Sequence, residues 1–213
     1  MRLKRQIARS GQSGFSMVEL MVVVAIIMIV AAVAVPNAVN AIRNIRLREA
    51  GVTYAGIIQR ARLAAVRNNT YYPVVNGLDP NNLTIAWVDL NRDGAYQTGE
   101  PMSALGQDVV LRASGAAPNT NLLKTLFLPN PYGGSLVDLS AAPASGFLGN
   151  RGLPCQMVGA YCSATNAGAV GAAPVALWAF MQSTTSQQWE AVTVTPAGRV
   201  QTWFYNGATW NRV

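Results

Sequence analysis

The chain has 213 residues, of which 51% are apolar and only 12% charged, whereas a soluble domain carries about 25% charged residues. This composition points to a membrane segment or a weakly charged extracellular domain, and the length leaves room for one globular domain plus a further element but not for two large ones. There is no histidine, which removes the commonest general base and metal ligand, and the net charge of +7 gives weak grounds for nucleic-acid binding, because without Arg2, Lys4, Arg5 and Arg9 only twelve bases face nine acids.

Residues 1–14 read as a leader: basic, polar and without an apolar core. Residues 15–35 form an apolar run from Phe15 to Val35 that contains one acid, Glu19. At 1.5 Å per residue the run spans about 30 Å as a helix, one hydrocarbon core. A secretory signal peptide would have a shorter apolar region closed by a small-residue cleavage site. Here the helical pattern continues beyond the apolar run, so the helix is predicted to be retained. The basic leader stays on the cytoplasmic side and sends the C-terminal part across the membrane.

Pro36 closes the run; a proline inside a helix removes one hydrogen bond and predicts a kink. Residues 37–69 continue as an amphipathic helix. Ile42, Ile45, Glu49 and Val52 form one stripe, and Tyr54, Ile57, Ile58, Ala61 and Ala65 form another at spacings of three and four. Arg43, Arg46, Arg48, Arg60, Arg62 and Arg67 fill other faces, and Asn68-Asn69 is expected to end the helix after about fifty residues.

Residues 70–213 change character. Short β-branched and aromatic runs alternate with Gly, Pro and Asn clusters, predicting strands at Tyr71–Val75, Leu83–Val88, Val109–Arg112, Lys124–Leu128, Ala176–Met181, Trp189–Thr195 and Arg199–Tyr205. Pro196-Ala197-Gly198 suits a hairpin turn between the last two. Residues 140–174, rich in Ala, Gly, Ser and Pro, are expected to form long loops. The class is therefore α+β: a long N-terminal helix, membrane-spanning in its first half, packed through its second half on a small antiparallel β-rich domain.

The junction Ser13-Gly14-Phe15-Ser16-Met17-Val18-Glu19-Leu20 closely resembles the type IV prepilin signature, a glycine followed by Phe-x-x-x-Glu and an apolar helix. The resemblance implies cleavage after Gly14 by a prepilin peptidase and methylation of the new amine on Phe15. It also implies anchoring in the lipid of a bacterial inner membrane with a periplasmic C-terminal domain, and assembly with other pilin subunits into a filament. Pro36 falls where many pilins carry a kinking proline. Physical chemistry points the same way. A carboxylate in a membrane helix costs roughly 2.5–3.5 kcal/mol on insertion scales, and no cation lies within residues 15–35. The amine exposed by cutting before Phe15 would meet Glu19 either within one helix, at i and i+4, or across neighbouring subunits; alternatively Glu19 reaches the headgroups.

Residues 54–68, 88–100, 147–152 and 192–200, in this order, are similar to the GspH/FimT group of minor pilins and pseudopilins. That similarity implies a small β-rich domain on the helix. The segment around Cys155 and Cys162 departs from the pattern.

Four further features carry alternatives. Asp89, Asn91, Asp93, Gly94 and Glu100 match the spacing of a calcium loop, with Gln97 at its ninth position, although Asn-Arg-Asp-Gly is also strong turn chemistry. Cys155 and Cys162 either form a disulfide, as an oxidising compartment favours, or remain buried thiols. The helix arginines form a solvated face or a DNA-binding one, and Trp203, Tyr205 and Trp210 form core or an adhesive surface. With no nucleophile–base pattern in the chain, the expectation is a structural filament subunit, minor pilin or pseudopilin, that is not an enzyme and requires no cofactor; a major pilin and a filament-borne binding module are the alternatives.

Overall fold

The structure is a computed structural model that describes residues 14–129, 132–141, 146–158, 161–163, 165–166 and 173–213. Residues 1–13 of the predicted leader and parts of the 140–174 segment lie outside these.

Helix α1 (Met17–Arg67) runs for 51 residues without interruption through Pro36. Proline's missing N–H leaves one carbonyl of the preceding turn without its usual donor. In this turn the Asn37 side-chain amide donates to the Val33 carbonyl at 3.1 Å. The helix stops as its sequence predicts: Asn69 takes a left-handed φ of 48°, a conformation asparagine tolerates at helix C-termini, and Thr70 N–H closes back onto the Ala65 carbonyl at 3.0 Å.

The chain divides into two compact units, 1–41 and 42–213. In the first, every described residue is exposed. In the second, α1 buries Leu47, Ala50, Gly51, Tyr54, Ile57, Ile58, Ala61 and Ala65, which includes the whole of the second predicted stripe. The first stripe faces outward: Ile42, Ile45 and Val52 are at least half exposed.

Among the described residues, one sheet of six strands holds β1 (Tyr72–Leu78), β2 (Thr84–Val88), β3 (Met102–Ala104), β6 (Gly146–Leu148), β7 (Pro154–Val158) and β8 (Tyr161–Ser163), in the order β3-β2-β1-β6-β7-β8. A second sheet runs β13-β12-β11-β10-β4, from β13 (Trp210–Arg212), β12 (Val200–Tyr205), β11 (Trp189–Val194), β10 (Ala173–Ser183) and β4 (Val109–Leu111). Strands β5 (Ser135–Asp138) and β9 (Thr165–Asn166) also pair with β10. All pairings are antiparallel except β5 with β10.

Strand β10 is apolar on both faces because both are covered. Val175, Leu177, Ala179 and Met181 belong to the core that α1 enters. Ala176 and Phe180 belong to a second core with Trp203, Trp210 and helix α2 (Thr120–Phe127).

Two expectations need correction. Lys124–Leu128 is the end of α2, not a strand: Leu123 and Phe127, four residues apart, share the buried face, the helical period of i and i+4. Residues 140–174 are not simply loop. Their described part contributes β6 to β9, which lack a strong apolar alternation and are held instead by pairing: β6 to β8 with β1 and with one another, and β9 with β10.

Candidate functional site

Gly14 and Phe15 precede the first turn of α1 and are exposed, Phe15 at 78%. A β-carbon at Gly14 would meet nothing within 4 Å. Glu19 lies in the helix's first turn and is also exposed, and a carboxylate is favoured there by the positive end of the helix dipole. From Phe15 to Val35 the large apolar side chains are bare, and none of the most apolar stretch is buried. A helix this apolar and this uncovered needs a lipid or protein environment. The leader itself lies outside the described residues except for Gly14.

In the second unit, three of the segments singled out by sequence meet in space. Arg62 on α1 donates to the Gly198 carbonyl at 3.1 Å, in the turn joining β11 to β12. Its side chain also packs against Gly152, whose φ of 70° and close approach leave no room for a β-carbon. Gly198 in turn lies close to the Gly152 carbonyl. The helix end, the Phe147–Gly152 segment and the Val192–Val200 hairpin therefore share one junction.

The loop at residues 89–100 uses its acids on backbone donors. Asp89, 1% exposed, accepts from Arg92 N–H at 2.5 Å and Gly94 N–H at 2.8 Å. Glu100 accepts from Leu90 N–H and Gln97 N–H, and Asp93 accepts from Ala95 N–H and the Gln97 amide. Among the described residues no group of three or more acids, cysteines or histidines is placed to hold a metal ion. A cation at this loop would compete with seven N–H bonds, since the Asn91 amide donates to Asp93 as well.

Cys155 and Cys162 form a disulfide between β7 and β8. Of the six predicted helix arginines, three have partners inside the domain: Arg46 pairs with Asp108 at 3.1 Å, Arg48 lies 4.9 Å over the Phe204 ring, and Arg62 makes the junction above. Trp203 and Trp210 are core, 6% and 3% exposed. Their indole N–H groups donate to Thr193 Oγ1 and to the Pro118 carbonyl.

One residue was not anticipated. Glu190 on β11 is fully buried, and neither carboxylate oxygen has a hydrogen-bond partner. Burial pushes its pKa up to about 8, while the Arg48 guanidinium pulls the other way. The sequence did hold a signal: the alternation of β11 puts Glu190 on the same face as the core residues Val192 and Val194.

Residues 9–35 match the family model described as the prokaryotic N-terminal methylation motif. The match covers the last six residues of the leader from Arg9, the Gly14–Phe15 junction, Glu19 and the bare rod up to Val35, and it supports a type IV pilin-like, membrane-anchored subunit handled by a prepilin peptidase. No curated protein and no solved structure matches the chain.

Proposed function

We propose that this chain is a minor pilin or pseudopilin, a structural subunit of a type IV pilus or a type II secretion filament. Prepilin peptidase cuts after Gly14, and the amine of Phe15 is methylated. The rod from Phe15 to Val35 holds the subunit in the inner membrane and then joins the apolar core of the filament. Glu19 neutralises the terminal amine of a neighbouring subunit, which lowers the cost of carrying a carboxylate through lipid. The domain at 42–213 is carried on the periplasmic or cell-surface side, and no catalytic step is assigned to it.

The observation that carries the reading is the overlap of the methylation motif at 9–35 with a helix whose apolar side chains are uncovered from Met17 to Val35. The GspH/FimT assignment draws support from the Arg62 junction, where three of the four similar segments converge. The test is N-terminal sequencing of the mature protein together with filament assembly by a Glu19→Ala variant. A mature chain beginning at methylated Phe15 and a variant that stays in the membrane are expected. A mature chain beginning at Met1 would sink the proposal, and normal polymerisation of Glu19→Ala would remove the role of that carboxylate.

A further inference from the structure

At one end of the seven-stranded sheet, the turn joining β10 to β11 and the turn joining β12 to β13 enclose a cleft of about 370 Å³, lined among others by Pro118, Gln188, Trp189, Tyr205 and Asn206. None of its lining residues carries a charge. Trp189 and Tyr205 are direct partners across β11 and β12, so their rings rise from the same face of the sheet, and both are only half-buried. The Tyr205 ring is fixed in place. Its hydroxyl accepts from the Asn119 amide at 2.9 Å and donates to the Gly207 carbonyl at 3.0 Å, and the ring packs against Trp210 at 5.2 Å.

Two details mark the cleft as more than a gap between turns. Gln188 Oε1 is shielded from solvent and has no hydrogen-bond partner, and a shielded acceptor left unpaired calls for a donor from outside the chain. Gln187 and Asn119 at its rim both hold left-handed backbone, with φ of 54° and 46°. Asparagine tolerates that conformation, but a glutamine there is uncommon, and strained backbone gathers at ligand sites.

We infer that this cleft binds a neutral saccharide. Adjacent aromatic faces suit the C–H faces of pyranose rings, and planar amides offer a donor and an acceptor together, the pattern that vicinal hydroxyls require. Once its side chain turns into the cleft, the unpaired Gln188 oxygen accepts from one such hydroxyl. Nucleotides, acidic peptides and amines would find no counter-charge in the lining. A pocket of mainly apolar walls with a few placed polar groups is the usual form of a small-ligand site. This inference does not depend on the filament proposal, since it concerns the domain surface alone.

The test uses the full chain in a detergent without a sugar headgroup. Cellotetraose, maltotetraose and triacetylchitotriose are titrated, with saturation-transfer NMR and tryptophan fluorescence as readouts. At least one is expected to bind saturably, and Trp189→Ala and Gln188→Leu each to weaken binding by about tenfold or more. Trp189→Phe should keep most of the affinity, and Tyr96→Ala, which removes an exposed aromatic outside the cleft, should leave it unchanged. If Trp189→Ala does not fold, Gln188→Leu decides. Absence of saturable binding up to about 10 mM, far weaker than a specific site, would overturn the inference. So would affinity that survives both cleft substitutions, or binding confined to a charged oligosaccharide such as a heparin fragment.

Discussion

Glu190 fills the notch that Gly51 leaves in α1: its carboxylate occupies the position that a β-carbon at residue 51 would need. The helix and the second sheet approach closely at this point because one residue has no side chain and the other brings a buried one. Two effects oppose each other in Gly51→Ala. Alanine favours the helix by about 1 kcal/mol, but a fully buried Glu190 cannot swing aside freely, and overpacking costs typically 1–3 kcal/mol. The expected result is a lower melting midpoint for Gly51→Ala alone. In a Glu190→Ala background the same change should be neutral or stabilising. A double-mutant cycle measures the coupling, expected at roughly 1–3 kcal/mol.

The same carboxyl makes stability depend on pH. Its ordinary value is 4.5, and burial moves it to about 8 in the folded chain. Between these values the folded state holds a proton that the unfolded state has released, so stability falls as pH rises, by up to about 1.4 kcal/mol per pH unit. Below 4.5 and above 8 this contribution is flat. Arg48 is the charged group that faces it, while its cross-strand partners Met181 and Phe204 do not titrate. Chemical denaturation at pH 5 and pH 8 should show the loss, and Glu190→Gln should remove most of it.

The loop at 89–100 should behave as a turn. Asp89→Ala removes two charge-assisted bonds from a buried position and should cost about 2–3 kcal/mol. The wild-type melting midpoint should be the same in excess chelator as in millimolar calcium; a midpoint raised by calcium would identify a metal loop instead.

Reduction of the Cys155–Cys162 bridge opens a short loop, since the cysteines are seven positions apart. The chain-entropy relation gives roughly 2–3 kcal/mol for a loop of this size. The midpoint should fall on adding reductant, and a Cys155→Ser, Cys162→Ser variant should already melt at the lower value and not respond to it.

Much of this architecture could be read from residue order. The rod, the end of α1 at Asn68-Asn69 and the β11–β12 hairpin follow from apolar runs, asparagine at a helix end and a Pro-Ala-Gly turn, all of which are local signals. The misread elements depend on distant partners. Lys124–Leu128 is apolar enough for a strand, and only its cover over Trp203 and Trp210 selects the helix. Strands β6 to β8 carry little propensity of their own and exist because β1 offers an edge. The helix's two apolar stripes look equivalent in sequence, but the sheets bury only the one containing Tyr54 and Ile58. At the candidate site, Glu19 and the Gly14–Phe15 junction stood out by chemistry, whereas Glu190 was overlooked because a strand's alternation had to be followed residue by residue.

The bond between Arg62 and the Gly198 carbonyl joins residues 136 positions apart. During translation the helix therefore emerges long before the strands that will cover it. Until the β11–β12 hairpin is complete, the part of the Tyr54 face that packs with Val192, Val194 and Val200 is open to mispairing, as expected where distant contacts close a fold. Truncation a few residues before Gly198 should thus convert the nascent polypeptide into a substrate for quality-control proteases.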